Sequence, residues 1–233
     1  MLRNILIAMV LASFGFIFYN LYSSYEPQTE LSGVAAHYAT QGAEEVGSAN
    51  LVTAVVTSYR SFDTLGEITI LFLTAAIISF FLKLSDEDEN KIIIHHGTSE
   101  LLITSSQILI PLMFLFGIYV FLNGHLTPGG GFQGGAIIAS AVVLSIMANP
   151  NISFNHKVII WVESVSGVSV VLIGVLGIII GGGFLDTRIL PMGKFGEIFS
   201  AGTIPLIYSF VGLKVGAEIS NILNKYQKSQ KES

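Results

Sequence analysis

Five titratable residues stand within or at the edges of long apolar runs, and they are the groups in this sequence that could bind or pass ions: Asp63, Glu67, His125, Glu163 and Lys214. A charged side chain at the centre of a bilayer costs about 3 kcal/mol on insertion scales, so such residues normally face protein or water and often bind cations or protons. The pattern predicts that these residues border a hydrated route for ions.

Lys214 and Glu218 are four residues apart in the last apolar run, so an α-helix would let them pair. Alternatively, the long Lys214 side chain extends along the helix to the membrane surface and has no role in transport. Glu163 lies nearer the end of its own apolar run. It is either part of an ion path or an ordinary interfacial group.

Arg60, Asp63 and Glu67 are spaced by three and four residues. If this segment is helical, the three side chains form one small charge network at the outer edge of a span. Such a network either binds cations or protons, or it is an interfacial salt bridge that only orders the segment. The sequence leaves both interpretations open.

A glycine-rich stretch, residues 123–135, connects two apolar runs and has almost no side-chain bulk. It indicates a close approach of the backbone, or a helix N-terminus with free amides beside His125. The stretch either lines a polar path or receives a partner's residue, or it is a tight loop packed on a neighbouring helix. Its formal G-x-G-x-x-G at Gly129, Gly131 and Gly134 is not a dinucleotide fingerprint, because no strand precedes it.

Glycines at two places are predicted to allow close packing. They are Gly129, Gly130, Gly131, Gly134 and Gly135 in this stretch, and Gly167 and Gly174 in the apolar run at residues 158–183. Gly167, Gly174 and Gly181 recur every seven residues, which indicates a helix face that packs against protein rather than lipid.

The composition indicates an all-α integral membrane protein. Of the 233 residues, 52% are hydrophobic and 12% are charged, the mean hydropathy is +0.70, and the apolar residues form runs long enough to cross a bilayer. We expect about six transmembrane helices, with the glycine-rich loop between the third and the fourth. The predicted spans are residues 4–22, 68–84, 101–122, 133–148, 158–183 and 198–223.

The ends and interiors of these spans carry further expectations. Asp63 or Thr64 would cap the second span, because short polar side chains accept hydrogen bonds from free amides at a helix start. Pro111 would interrupt the third span, and Pro205 would interrupt the sixth, because proline lacks the amide hydrogen that a helix interior uses.

The loops predict the orientation. Residues 23–50 form a polar, partly helical exterior segment, and residues 184–194 form an exterior loop. With both termini in the cytoplasm, eight basic residues fall on or toward the inner side and three fall outside. This excess follows the positive-inside rule.

The composition also excludes several functions. Without cysteine the chain has no disulfide, no Cys-ligated zinc, no iron–sulfur cluster and no thiolate catalysis. No nucleophile has a base partner, no basic patch indicates nucleic acid, and the adjacent His95 and His96 are not spaced to hold one metal ion. We therefore expect no enzyme activity and no metal site in this chain.

Several stretches resemble the MnhB/MrpB subunit of multisubunit Na⁺/H⁺ antiporters. They are residues 96–102, the string G-H-L-T-P-G-G-G-F-Q-G-G at 124–135, residues 203–206 and residues 211–215. The resemblance covers residues 90–225, and the glycine string is highly specific.

The first 85 residues carry a second resemblance. Asn50-Leu51-Val52-Thr53, Arg60 and residues 62–67 look like the C-terminal end of the antiporter A subunit, which is a separate E-type subunit in archaeal membrane-bound hydrogenases. The resemblances imply four parts. These are an A/E-like segment with two spans (1–85), a cytoplasmic acidic linker (86–97), a B-like domain with four spans (98–225) and a cytoplasmic tail (226–233).

Together the resemblances imply a plasma-membrane subunit without redox centres or cofactors, with Na⁺ and H⁺ as the transported ions. Its partners would be lipid and other Mrp-type membrane subunits. The host would be a stand-alone antiporter, or a respiratory complex such as a membrane-bound hydrogenase or sulfur-reducing complex with its redox arm. The alternative is a purely structural subunit that docks its neighbours without carrying ions.

Overall fold

The computed structural model describes residues 2–25, 30–82, 98–150, 152 and 154–229, and every regular element within them is helical. The helices are α1 (Leu2–Ser23), α2 (Gly33–Val46), α3 (Leu51–Ala54), α4 (Ser61–Phe81), α5 (Glu100–Leu122), α6 (Gly131–Ala148), α7 (His156–Ile180) and α8 (Ile204–Ser229). Six of them, α1 and α4 to α8, are long and apolar enough to cross a membrane. The predicted all-α fold with six spans is therefore confirmed. The acidic linker and the last four residues of the tail lie outside the described residues.

The chain forms two compact units, residues 1–37 and 38–233. The first unit contains α1, whose side chains are exposed on all sides, as suits an apolar helix surrounded by lipid. The second unit contains α3 to α8 and all of the residues that the sequence singles out for ion handling.

The second span begins at Ser61, earlier than predicted, and neither Asp63 nor Thr64 is its N-cap. A π-helical turn, Val55–Tyr59, precedes α4, and the Thr64 hydroxyl donates to the Val56 carbonyl oxygen at 3.0 Å. The Thr64 hydroxyl therefore bonds back to the preceding turn instead of accepting from a free amide at the helix start. The predicted cap was wrong for this reason.

The two prolines do not interrupt their helices. α5 continues through Pro111. In a transmembrane helix, small local changes of helix geometry and polar groups of neighbouring helices satisfy the backbone carbonyl that proline leaves without a partner. Pro205 is the second residue of α8, where amides have no partner within the helix, so it opens the sixth span instead of breaking it. The predicted start at residue 198 is also wrong, since Ala201 and Gly202 have φ values of 62° and 58°, outside the helical range.

The fourth and fifth spans begin two residues earlier than predicted, at Gly131 and His156. α7 starts there because the Asn155 side chain accepts a hydrogen bond from the Lys157 amide at 3.1 Å. It ends at Ile180, so the glycines that follow are not part of the span.

Glycines allow α5, α6 and α8 to approach each other to backbone distance. A Cβ added at Gly134 would lie 2.6 Å from the Gly117 carbonyl oxygen on α5. A Cβ added at Gly135 would lie 2.7 Å from the Gly212 carbonyl oxygen on α8. The three helices therefore pack through small residues, as is common where lipid gives no hydrophobic drive for association.

The glycine face of α7 packs against protein, but part of its partner is the loop that follows the same helix. Gly174 faces the Phe184 ring, and Gly177 faces the backbone of residues 183–186. Leu185 is fully buried among side chains of α4, α7 and α8. The predicted exterior loop 184–194 therefore begins inside the bundle, because its first two side chains are apolar and fill the space that the glycines leave.

Gly134→Ala is expected to weaken the contact between α5 and α6, because the new Cβ would lie 2.6 Å from a main-chain carbonyl oxygen. Overpacking of this kind costs about 1–3 kcal/mol. Gly66→Ala is the matched control, since Gly66 also lies in a spanning helix and no heavy atom of the described residues lies within 4 Å of its added Cβ. The melting temperature of the detergent-solubilised complex should fall only for Gly134→Ala. An equal effect of both changes would contradict the packing.

Candidate functional site

Lys214 and Glu218 form an ion pair inside the sixth span. Lys214 Nζ lies 3.0 Å from Glu218 Oε2, and the two side chains are only 5% and 1% exposed. Both residues lie near the middle of the candidate span Ile204–Gln227, and the Lys214 ammonium pairs with Glu218. Among the described residues, neither carboxylate oxygen of Glu218 has an aligned hydrogen-bond donor. The pair is therefore balanced in charge, but the carboxylate is not fully hydrogen-bonded.

Three helices enclose the Lys214 ammonium. Its side chain passes over Gly167 of α7, where an added Cβ would lie 3.4 Å from Lys214 Cδ. On the α4 side, Nζ lies 5.2 Å from the centre of the Phe72 ring, which attracts a cation through its electron-rich face. The Lys214 side chain therefore packs against α7 at Gly167.

Glu163 lies on the same face of α7, one turn before Gly167, and is half-buried. It is close enough to Glu218 for the two carboxylates to interact electrostatically. Glu163 and Lys214 line a cavity of about 460 Å³ between α4 and α7, whose other walls are mostly apolar. The structure thus brings together three of the charged residues that the sequence singled out.

The predicted charge network at the start of α4 forms only in part. Arg60 Nε lies 2.7 Å from Asp63 Oδ2, while Glu67 lies one turn further along and is exposed. Asp63 and Glu67 do not line the cavity beside Lys214. Because both members of the Arg60–Asp63 pair are largely exposed, this contact contributes at most about 1 kcal/mol.

The Asn50 side chain binds the backbone of the glycine-rich loop, a contact that sequence reasoning missed. Its amide nitrogen donates to the carbonyl oxygens of Gly124 and Thr127 at 2.8 and 3.0 Å. Its oxygen accepts from the amides of Val52 and Thr53 and so caps α3. The cap could have been found from the sequence, but the loop carbonyls are 74 and 77 residues away and leave no local signal.

Two hydroxyls complete this attachment. Thr53 Oγ1 donates to the Gly124 carbonyl oxygen at 2.7 Å, and Ser48 Oγ donates to the His125 carbonyl oxygen at 2.9 Å. The Tyr208 hydroxyl of α8 then donates to Thr53 Oγ1 at 3.1 Å. We call the contacts of Ser48, Asn50 and Thr53 with the loop carbonyls the loop clamp.

The loop glycines lie where neighbouring atoms leave no room for a side chain. An added Cβ would lie within 3 Å of the Tyr208 ring at Gly124, of the Val120 carbonyl oxygen at Gly129, of Gln133 Oε1 at Gly130 and of Val211 at Gly131. This geometry supports the tight-loop interpretation of the glycine-rich stretch.

His125 is fully buried inside this loop. Its Nε2 lies 3.3 Å from the Glu197 carbonyl oxygen, and its Nδ1 has no hydrogen-bond partner among the described residues. Burial lowers the pKa of His125 below its ordinary value, so the ring is neutral at neutral pH and Nε2–H donates to Glu197. The ring holds two loops together and lies apart from the cavity beside Lys214.

A second cavity, of about 530 Å³, is lined by residues of the segments 45–59 and 182–188, and two polar pairs that the sequence did not single out form part of its wall. The Tyr59 hydroxyl donates to the Glu45 carboxylate, and burial together with that carboxylate raises the pKa of Tyr59 to about 12. Arg188 Nη2 lies 2.6 Å from Asp186 Oδ2, and this hydrogen bond holds the pKa of Asp186 below its usual range.

These features define a multi-pass membrane protein with buried ionisable residues and a glycine-rich loop that its own N-terminal half clamps. The chain belongs to the MnhB family, because the model for a domain related to the MnhB subunit of Na⁺/H⁺ antiporter matches residues 101–221. A second family model, the MBH component MbhE, matches residues 2–87. Both resemblances predicted from the sequence are confirmed. Relatives of this kind are antiporter subunits, which are transporters rather than enzymes.

Individual relatives extend the comparison over most of the chain. An uncharacterised protein of Methanocaldococcus jannaschii is 37% identical over 196 residues, which cover 73% of this chain and 74% of that one. A chain of the membrane-bound sulfane sulfur reductase, an archaeal respiratory membrane complex, is 34% identical with a TM-score of 0.82, over 97% of this chain and 98% of that one. The Mrp complex from Dietzia sp. DQ12-45-1b shares the fold, with a TM-score of 0.75 and 24% identity, over 96% of this chain and 26% of that longer one.

Asn50→Ala is expected to release the glycine-rich loop, because the Thr127 carbonyl loses its Asn50 donor and the Gly124 carbonyl keeps only the Thr53 hydroxyl. Leaving a buried polar group unpaired costs about 1–3 kcal/mol. Hydrogen–deuterium exchange of residues 123–131 in the assembled complex should therefore become faster. Asn155→Ala is the control, since that side chain caps α7 and donates nothing to the loop. Unchanged exchange in Asn50→Ala would show that the clamp does not hold the loop.

Proposed function

We propose that this chain is a membrane subunit of an Mrp-type cation/proton antiporter module in which Glu163, Lys214 and Glu218 border the route of Na⁺ or H⁺. The observation that carries the proposal is the ion pair of Lys214 and Glu218 near the middle of a span, with Glu163 beside it. Charged groups inside a membrane are costly, and they are usually retained where ions or protons pass.

Packing alone gives no reason for charges at this position. A buried ion pair is often no more stabilising than apolar side chains of the same volume, and in this chain the neighbouring helices already pack through glycines. Lys214 of the pair also lines a cavity between α4 and α7, which gives space for a hydrated path. In this proposal Asp63 and Glu67, at the start of α4 and outside the cavity lining, receive ions before they reach the cavity.

The relatives suggest the setting. The structural neighbours are chains of an Mrp complex and of an archaeal respiratory complex, so we propose that other Mrp-type membrane subunits surround this chain, with or without a hydrogenase-like redox arm. The chain itself contributes no redox centre or cofactor, and Na⁺ and H⁺ are the transported ions. It lies in the cell membrane with both termini in the cytoplasm, as its basic residues indicate.

The sharpest test removes the ion pair as a unit. Lys214→Met alone would leave a buried carboxylate without its counter-charge, which costs about 3–5 kcal/mol and threatens assembly. The double change Lys214→Met with Glu218→Leu removes both charges and roughly keeps the volume, so the complex should assemble. Na⁺-dependent ΔpH in inverted membrane vesicles should then fall at least about tenfold, because the route loses its charged wall.

The matched control is Lys194→Met with Glu197→Leu. These residues form an exposed contact at 4.0 Å in a loop, so the same charges are removed away from the proposed route. Wild-type ΔpH is expected in this control. Wild-type ΔpH in the assembled Lys214 and Glu218 double variant would exclude the pair from the route.

A purely structural subunit is the second candidate, and the closely packed loop favours it. In that case Gly131→Leu or Gly174→Leu should abolish co-purification of the partner subunits, because the new side chains would collide with Val211 and Phe184. The charge-removing variants would leave transport intact. Comparing co-purification with ΔpH for both sets of variants therefore separates the two functions.

A further inference from the structure

The contact between α7 and α8 places two carboxylates at one depth. Gly167 packs on Lys214, and consecutive spans cross the membrane in opposite directions. Glu163 lies one turn before Gly167, and Glu218 lies one turn after Lys214. On two antiparallel helices, a residue one turn before the contact on one helix and a residue one turn after it on the other lie at the same height in the bundle. Glu163 and Glu218 thus face the same layer, and they interact electrostatically.

This layer has one fixed positive charge for two carboxylates. Lys214 Nζ contacts Glu218 Oε2, while Glu218 Oε1 is buried without a hydrogen-bond partner in the described part of the chain. Among the described residues, the charged groups that act on Glu218 are Lys214 and Glu163. α4 contributes Leu65, Ile68, Thr69 and Phe72 to the cavity wall, none of which is titratable, and the sequence of α6 contains no titratable residue.

We propose that Glu163 and Glu218 together hold one exchangeable monovalent cation, a proton or Na⁺, with Lys214 as the fixed counter-charge. The inference deepens the proposed function and rests on it. Two carboxylates in an apolar layer cannot both remain charged beside a single ammonium without a large cost, and they share a proton or bind a cation instead. Oxygen ligands of this kind suit either occupant.

The cavity between α4 and α7 gives the site its access. Its lining includes Glu163 and Lys214 but not Glu218, which lies behind the lysine. Glu163 is therefore the exchanging end of the pair, and Glu218 is the enclosed end. The Lys214 side chain packs against α7 at Gly167 and lies between the cavity and the enclosed carboxylate.

The test is covalent labelling of the purified intact complex with a lipophilic carbodiimide, which reacts with protonated carboxyl groups in apolar surroundings. Peptide mass spectrometry quantifies the label at Glu163, with the exposed Glu197 as internal reference. Labelling of Glu163 should exceed that of Glu197 and fall as pH rises. In Glu218→Gln, Glu163 needs no shared cation, because Lys214 alone balances its charge, so labelling should fall about tenfold.

Sodium distinguishes the two occupants. If Na⁺ replaces the proton, NaCl should suppress the labelling of Glu163 while KCl at the same concentration does not. If neither salt suppresses it, the occupant is the proton alone, and the site still stands. Glu163 that is unlabelled across the pH range, or labelled equally in wild type and Glu218→Gln, would overturn the inference.

Flux measurements keep this result separate from the proposed function. Labelling that depends on Glu218, combined with wild-type ΔpH in Glu163→Gln and Glu218→Gln vesicles, would leave the site standing and refute its place on the route. Loss of ΔpH in both variants, combined with labelling independent of Glu218, would refute the shared cation site and leave the two residues on the proposed route.

Discussion

The hydrogen bonds of the loop clamp are the contacts on which the rest of this structure depends. A glycine-rich loop between two membrane spans presents carbonyl groups that no helix satisfies, and a buried polar group without a partner is costly. Asn50, Thr53 and Ser48 supply the missing donors. Because this segment leads through a π-helical turn into α4, the clamp also sets where α4 begins to pack against α8.

The clamp joins the two parts of the chain that match different family models. Residues 48–53 lie within the match to MbhE, and the loop at 124–127 lies within the match to the MnhB-related domain. Their contact is made by side chains on one part and main-chain carbonyls on the other. Such a contact specifies the path of the loop backbone rather than a particular side chain. Along that path the loop passes close to Tyr208 and Val211, and only glycine fits at Gly124 and Gly131.

A glycine and buried charged groups meet at the α7–α8 interface. The Lys214 side chain packs against α7 at Gly167, and its ammonium pairs with Glu218 near the middle of the span. Phe72 of α4 and the Glu218 carboxylate stabilise that ammonium from two directions. Glu163 then adds a second carboxylate to an apolar layer. The interface is therefore held by packing, and it places one ammonium beside two carboxylates.

The sequence by itself determined the elements and the pairs that depend on local spacing. Apolar runs predicted six spans, and a spacing of four residues predicted the Lys214–Glu218 pair, because a helix has a fixed period. Tertiary structure alone decided the contacts between distant segments, including the clamp, the burial of Leu185 and the level shared by Glu163 and Glu218. It also decided that His125 is enclosed and that Thr64 bonds to Val56 instead of capping α4. These depend on which backbone groups and helix faces meet across the bundle, and no period within one segment encodes that.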